Sequence, residues 1–319
     1  MSPPDLPIQA MATPDALSDS IIPYSSTFDT IAAAAPLQYG DLAALGIAGW
    51  SPAGLAVSML EWINVTTGMP WFYTIIAGTV LSRALILPLS VKQMRNSARL
   101  APHQPRLMAL KEEAARASAT RDPLAVQRVS LKQRKVYEEA GVSMLPMLAM
   151  PFVQLPVTLG MFFGVKRMCA LPVEQLHWSG VSFLPDLTVA DPYYILPILS
   201  AIAMNVQLSV GASDMAATAD RTTMANMINA FRVVSVISIP FMGGFASGLN
   251  LYVLTGIVAM LAQTVILRNS AVRRLFGIPI LQKVADFKPV RLQESIVHLK
   301  KYFKEQNEAS QKKAAQRKW

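Results

Sequence analysis

Charge and cysteine are both scarce in this chain. Asp, Glu, Lys and Arg together make up 15% of it, against roughly 25% in an average soluble domain. The single cysteine, Cys169, excludes a disulfide scaffold. The three histidines, His103, His177 and His298, are far apart in sequence, so no metal site is expected from them. There is no phosphate-binding loop, no dinucleotide fingerprint, no His-Glu-x-x-His and no nucleophile elbow. The expectation is a protein that is not an enzyme and carries no cofactor or metal.

What is abundant is apolar surface. Hydrophobic residues reach 52% of 319, and mean hydropathy is +0.35. Disorder and collagen are excluded by that content. One water-soluble core of ordinary shape could not keep so much apolar surface dry, so the chain reads as an all-α integral membrane protein.

The charges that exist are segregated. No Lys or Arg precedes Arg83, and the leader holds Asp5, Asp15, Asp19, Asp29, Asp41 and Glu61. Residues 92–141 carry eleven Lys and Arg against five Asp and Glu. Residues 268–319 carry thirteen against four. Basic blocks flanking long uncharged stretches are the pattern of membrane topology. A helix crossing the hydrocarbon core needs about 20 mostly apolar residues. Such stretches occur at 70–91, 143–165 and 192–212. A fourth, 233–267, is too long for one helix and reads as a hairpin broken near Gly243, Gly244, Gly248 and Asn250.

That predicts five transmembrane helices, the last two at 227–247 and 248–267, with loops at 166–191 and 213–226. An odd number places the termini on opposite sides. The acidic leader, 1–50, is expected to be disordered and outside. The basic loop and the basic helical tail, 268–319, are expected inside. Residues 51–69 read as an amphipathic helix at the outer interface, with Leu55, Met59, Trp62, Leu60 and Ile63 at helical spacing. Residues 92–141 read as two helices folded into a hairpin and broken at Asp122-Pro123. Leu107, Leu110 and Ala114 form one stripe there. Leu124 with Leu131, and Val129 with Val136, repeat at seven. In the tail, Leu292, Ile296, Leu299 and Phe303 share a face, and Arg291, Lys300, Lys301 and Lys304 are solvated.

One residue breaks the pattern. Arg83 lies near the middle of the first apolar stretch, where an arginine costs about 2.5–3.5 kcal/mol on insertion scales. From that depth the side chain reaches water only with difficulty. The economical solution is a polar cavity inside the bundle. The bland alternative is an arginine that clamps neighbouring helices. Other polar groups in the spans are Gln154, Thr158, Asn205, Gln207, Asn250, Thr255 and Gln263, each of which could equally fasten one helix to another. No span carries an acidic residue, which argues against a proton pump or cation transporter and for an acidic or polar passenger. Gly160 and Gly164, and Gly244 and Gly248, match a close-packing spacing that also arises by chance.

These residues resemble the YidC/Oxa/Alb family of membrane insertases. The likeness rests on Leu81-Ser-Arg83-Ala-Leu-Ile-Leu-Pro88-Leu, the charged hairpin, and Pro151-Phe-Val-Gln154-Leu-Pro156. It extends through Leu171-Pro172-Val173, Phe183-Leu-Pro-Asp186-Leu, Asp191-Pro-Tyr-Tyr-Ile-Leu-Pro197 and Gly248-Leu-Asn250-Leu-Tyr252. It covers about residues 50–305, with Val253 where the pattern has an aromatic, and the basic tail is similar to the mitochondrial Oxa-type branch. The resemblance implies an insertase of the mitochondrial inner membrane, with its N-terminus in the intermembrane space and its hairpin and tail in the matrix. It implies a hydrophilic groove centred on Arg83 with Gln154 in its wall. Asn205, Gln207, Asn250 and Gln263 complete the expected polar set. The implied partners are nascent membrane-protein substrates, the lipid bilayer, and the mitochondrial ribosome or its RNA, met by Arg291, Lys300, Lys301, Lys304, Lys312 and Lys313. An Arg-rich presequence is the opposite of this acidic leader, so the expectation is that one is missing or already removed. The alternatives are a paralogous assembly factor for a cytochrome oxidase subunit and a small-solute transporter.

Overall fold

The computed structural model describes residues 37–279 apart from 121, 171, 172, 183 and 217–220, with the backbone alone at 144–148, 212–216 and 221–226. The tail residues Arg291, Lys300, Lys301, Lys304, Lys312 and Lys313 lie outside the described residues, as does the leader up to residue 36. Among the described residues the regular structure is helical, with two isolated β-bridges and no strand. Three helical stretches are long and apolar enough to cross a membrane: Trp71–Ala119, Ala149–Ala170 and Ser247–Arg268. Two shorter apolar ones are Ile195–Gly211 and Met227–Met242.

In chain order the helices are α1 (Asp41–Ala44), α2 (Pro52–Thr67), α3 (Trp71–Leu100), α4 (Gln104–Ala119), α5 (Pro123–Glu139), α6 (Met144–Ala170), α7 (Gln175–Trp178), α8 (Ile195–Ala216), α9 (Arg221–Met242), α10 (Ser247–Arg268) and α11 (Ser270–Leu275). The 30 residues of α3 reach about 45 Å at 1.5 Å per residue, against roughly 30 Å of hydrocarbon. Its final turns, where charge returns at Lys92, therefore extend past the apolar stretch. The helix continues through Pro88, whose ring nitrogen cannot donate to the carbonyl four residues back.

α4 and α5 form an antiparallel hairpin around Leu100, Leu107, Leu110, Val129 and Val136. Of the two heptad pairs in the sequence, Val129 and Val136 enter this core, while Leu124 and Leu131 stay exposed. The turn between the helices is built by local chemistry. The Asp122 carboxylate accepts from the N–H groups of Leu124 and Ala125, and Pro123 occupies the first helical turn, where no donor is needed. Arg106–Glu139 and Lys132–Glu113, each 2.6 Å, cross between the helices. Both pairs are half exposed, so each contributes at most about 1 kcal/mol.

α3 and α10 run in the same direction, and α6 runs against both. Phe72 N–H donates to Ser179 O and Gly248 N–H to Leu187 O, so the first turns of α3 and α10 meet the loop that follows α6. At the far end Arg95 donates to Phe276 O, and Asn96 donates to Ser143 O just before α6. The loop is tightly built. Trp71, fully buried, donates from Nε1 to Gln175 Oε1 at 3.0 Å. Asp191, 1% exposed, accepts from the Tyr193 and Leu196 N–H groups and caps α8. His177 Nδ1 lies 2.9 Å from Asp186 Oδ2. Desolvation alone raises the Asp186 pKa. Hydrogen bonds from the Thr188 hydroxyl, His177 and the Thr188 N–H outweigh it and hold the carboxyl below its ordinary value.

α2 packs along α6 and α3. Gly160 and Gly164 lie directly against the Pro52 and Ala53 carbonyls, and Gly78 lies against Leu60 and Ile63. The Gly160/Gly164 spacing is therefore a real contact surface. Ala53, Ala56 and Val57 are buried in it, Leu60 and Ile63 are buried against Gly78 of α3, and Leu55 and Trp62 face outward.

The expectation of a disordered leader to residue 50 is corrected over its last part. Residues 41–44 form α1, with Leu42 fully buried and Ile47 nearly so. The buried Glu61 carboxylate on α2 accepts from the Gly40 and Leu42 N–H groups at 3.1 and 2.9 Å. The cause is a partner about twenty residues away, which local composition does not register. Hydrogen bonds to a charged group are worth about 1.5–3 kcal/mol. Glu61→Ala is expected to raise amide exchange across residues 38–48 and leave α6 and α10 unchanged. Unchanged exchange at Gly40 and Leu42 would remove the latch.

Candidate functional site

Arg83 is half-buried on α3. It faces α10 at Gly256, where a Cβ would stand 3.5 Å from Arg83 Nη2 and 3.9 Å from Thr79 Cγ2. A methyl at Gly256 would make ordinary contact with the guanidinium rather than clash with it. Around it, Thr79 and Ser82 turn their hydroxyls onto the carbonyls of Ile75 and Thr79 on their own helix, at 2.7 Å each. They satisfy themselves and leave the cation alone.

One turn before Gly256, Tyr252 lies within electrostatic reach of Arg83. Its hydroxyl donates to the Thr158 carbonyl on α6 at 2.9 Å. Thr158 Oγ1 in turn accepts from Gln154 Nε2 at 2.9 Å. A polar thread thus runs from Arg83 on α3 through Tyr252 on α10 to Thr158 and Gln154 on α6. Among the described residues Arg83 forms no ion pair. The chain has no Asp or Glu between Glu61 and Glu112, or between Asp220 and Asp286. The arrangement is a cation in an apolar helix with neutral hydrogen-bonding neighbours.

The other polar candidates are placed differently. Asn205 donates to Ala201 O and to Ser235 Oγ at 2.9 Å, joining α8 to α9. Gln207 donates to Thr264 Oγ1 at 3.2 Å, joining α8 to α10. Asn250 is fully buried and donates to the Met242 and Phe245 carbonyls at 3.0 and 3.3 Å. It ties the turn between α9 and α10. In each of these three the amide fastens backbone or helices together. Gln263 is half-buried, two turns beyond Gly256 on the same face of α10 by helical spacing.

Thr158 is among the polar groups read from the spans; Tyr252 and Gly256 are not. A glycine inside an apolar helix signals room for a neighbour without fixing which one, since a Cβ at Gly256 would meet Arg83 and one at Gly211 would meet nothing within 4 Å. Nothing local marks the Tyr252–Thr158 bond, which spans 94 residues. Tyr252→Phe keeps the ring and removes only the donor. It is expected to cost about 0.5–1.5 kcal/mol, read as a lowered thermal midpoint in detergent. An unchanged midpoint would show that the bond does not hold α6 to α10.

α6 and α9 each carry an exposed apolar face. Phe152, Leu155, Leu159 and Phe163 of α6 are exposed, as are Phe231, Val234, Ile237 and Phe241 of α9. At the loop end Phe162 stacks edge-on against Phe245, which also meets Phe241. This aromatic cluster ties α6 to the α9–α10 turn. Among the described residues no three His, Cys, Asp or Glu side chains come together to hold a metal.

The family model described as the 60Kd inner membrane protein matches residues 62–274. The chain is 32% identical to the mitochondrial inner membrane protein OXA1L of Mus musculus, over 74% of this chain and 54% of that protein. It is 32% identical to the mitochondrial inner membrane protein OXA1 of Saccharomyces cerevisiae, over 73% of this chain and 57% of that protein. It is 28% identical to the membrane protein insertase MisCA of Bacillus subtilis, over 68% of this chain and 77% of that protein. The chain thus spans a little over half the length of the two mitochondrial relatives.

Proposed function

Because this chain belongs to the family of the 60Kd inner membrane protein, the YidC/Oxa/Alb family, we propose that it is a membrane protein insertase of the mitochondrial inner membrane. Nascent hydrophobic segments and their short polar flanks pass from the matrix into the bilayer along a hydrophilic groove centred on Arg83. α8 and α9 join the three long apolar stretches to make five spans. The N-terminus faces the intermembrane space; the α4–α5 hairpin and the basic tail face the matrix. Arg291, Lys300, Lys301, Lys304, Lys312 and Lys313 meet the ribosome. Gln154 lines the groove beside Thr158, and Gln263 lies on the same face nearer the matrix.

The observation that carries the reading is Arg83 itself, set in an apolar helix against Gly256 and near Tyr252, with no carboxylate partner among the described residues. A substrate must carry its polar flank across about 30 Å of hydrocarbon, where each unpaired backbone group costs several kcal/mol. A groove reaching partway shortens the dry path. The positive potential at Arg83 draws acidic flanks into it. The apolar segment then moves sideways past the exposed faces of α6 and α9 into lipid, driven by burial at about 25 cal/mol per Å². In an energised membrane the potential favours export of an acidic flank by about 2.3 kcal/mol per charge per 100 mV.

The test is reconstitution. The full chain in liposomes should insert a single-span substrate with a short acidic flank, scored by protease protection, well above empty liposomes. Insertion no faster than in empty liposomes would reject the reading.

A further inference from the structure

A second group of cations gathers where α10 turns into α11, far along α3 from Arg83. The 272–278 segment folds back onto α3: Leu267 and Ile278 pack with Val91 and Ala98, with Leu87, Met94 and Val272 around them. This seats Arg95 against the elbow, donating to Phe276 O. Lys92 and Arg99 stand one turn to either side on the same face of α3. Arg99 reaches the Gly141 carbonyl at 3.5 Å, and Arg274 reaches Ser270 O at 3.3 Å.

Arg95, Arg99 and Arg274 thus meet only backbone carbonyls among the described residues, and Arg95 Nε is a buried donor with no acceptor. Carboxylates are absent from α3, α10 and α11. Those of the hairpin are engaged elsewhere: Glu112, Glu113, Glu138 and Glu139 pair with hairpin cations, and Asp122 caps α5. Exposed apolar side chains follow Arg274 directly in the chain. Leu275 is 81% exposed and Phe276 is exposed as well, at the end of the short α11 that follows a helix long and apolar enough to cross a membrane.

We propose that this elbow binds the phosphate headgroup of an anionic phospholipid. The arginines supply several donors to phosphate oxygens. Leu275 and Phe276 lie against the glycerol and the first methylenes of the acyl chains. A free phosphate would use the cations and leave those apolar groups in water. A nucleic acid would call for a row of stacking aromatics, and Phe276 is the one aromatic on the elbow. Clustered cations at the end of a membrane helix are a general means of holding acidic headgroups. The proposal does not rest on the insertase reading.

The experiment uses the purified full chain in an uncharged detergent, with dioctanoylphosphatidylglycerol as probe and native mass spectrometry as readout. The lipid is expected to bind in preference to dioctanoylphosphatidylcholine. Each cation contributes roughly fivefold. Arg274→Gln, exposed and clear of the packed core, should therefore weaken binding about fivefold. The triple variant Arg95→Gln, Arg99→Gln, Arg274→Gln should weaken it on the order of a hundredfold. The matching Arg→Lys triple should retain it. So should Arg116→Gln, Arg128→Gln, Lys135→Gln, which removes equal charge from the hairpin. Equal binding of phosphatidylcholine, or undiminished binding by Arg274→Gln, overturns the proposal. So does displacement of the lipid by inorganic phosphate at equal concentration, which would assign the site to a free anion. Displacement by a single-stranded RNA that itself fails to bind the triple variant would assign it to nucleic acid and equally overturn it.

Discussion

Arg83→Ala should slow insertion of substrates with acidic flanks by about tenfold or more, and change neutral flanks by less than about twofold. An acidic side chain at the centre of a membrane helix costs about 2.5–3.5 kcal/mol. If the Arg83 cation offsets about half of that, its loss is worth roughly one factor of ten. Arg83→Lys keeps the charge but not the planar fork, so it should fall between. Stability gives an independent readout. A clamp between helices would leave partners unsatisfied when removed. Among the described residues Arg83 has no carboxylate to orphan, and it stands beside Gly256 of α10. Deleting an arginine from an apolar helix also removes its own burial cost. The thermal midpoint of Arg83→Ala should therefore hold or rise. A large fall in midpoint with equal loss for both flank types would make Arg83 a structural clamp and leave the groove without its central cation.

Gly160→Ala should destabilise the protein by about 1–3 kcal/mol through overpacking. An added Cβ would overlap the Pro52 carbonyl in the first turn of α2. That obstacle is backbone, so it cannot swing aside as a side chain can, and α2 must lift from α6. The control is Gly211→Ala. Gly211 lies inside α8 with nothing within 4 Å of its would-be Cβ, so the change should be neutral or stabilise by up to about 1 kcal/mol through helix propensity. Thermal midpoints of the two variants in the same detergent decide. Equal midpoints would mean that α2 is not seated on α6 at Gly160.

Some of this architecture was readable because its causes are local. An apolar run such as residues 71–91 declares itself through hydropathy, and a lone cation inside it is conspicuous for the same reason. Asp122-Pro123 marks a helix start because a cap acts on donors two and three residues ahead. The two glycine spacings show where local reading ends. Gly160 and Gly164 bring α6 against α2. Gly244 has only its own Phe241 carbonyl within 4 Å, and Gly248 meets Cys169 and Leu187. The heptad pairs of the hairpin are alike in pattern, yet Val129 and Val136 are buried while Leu124 and Leu131 are not. The choice depends on which face the partner helix covers.

By itself the sequence determined that the chain is helical and rich in apolar stretches, that its charges are sorted along its length, and that one arginine lies within such a stretch without an acid nearby. Those properties follow from composition and from neighbours a few residues apart, so no fold is needed to read them. The tertiary structure alone decided which polar residues act together. Tyr252 and Gln154 both meet Thr158, while Asn205, Gln207 and Asn250 hydrogen-bond to other helices and turns. A hydrogen bond is set by ångströms between atoms, and 94 residues of chain separate Tyr252 from the carbonyl it meets; only the packing of helix on helix brings such groups into range.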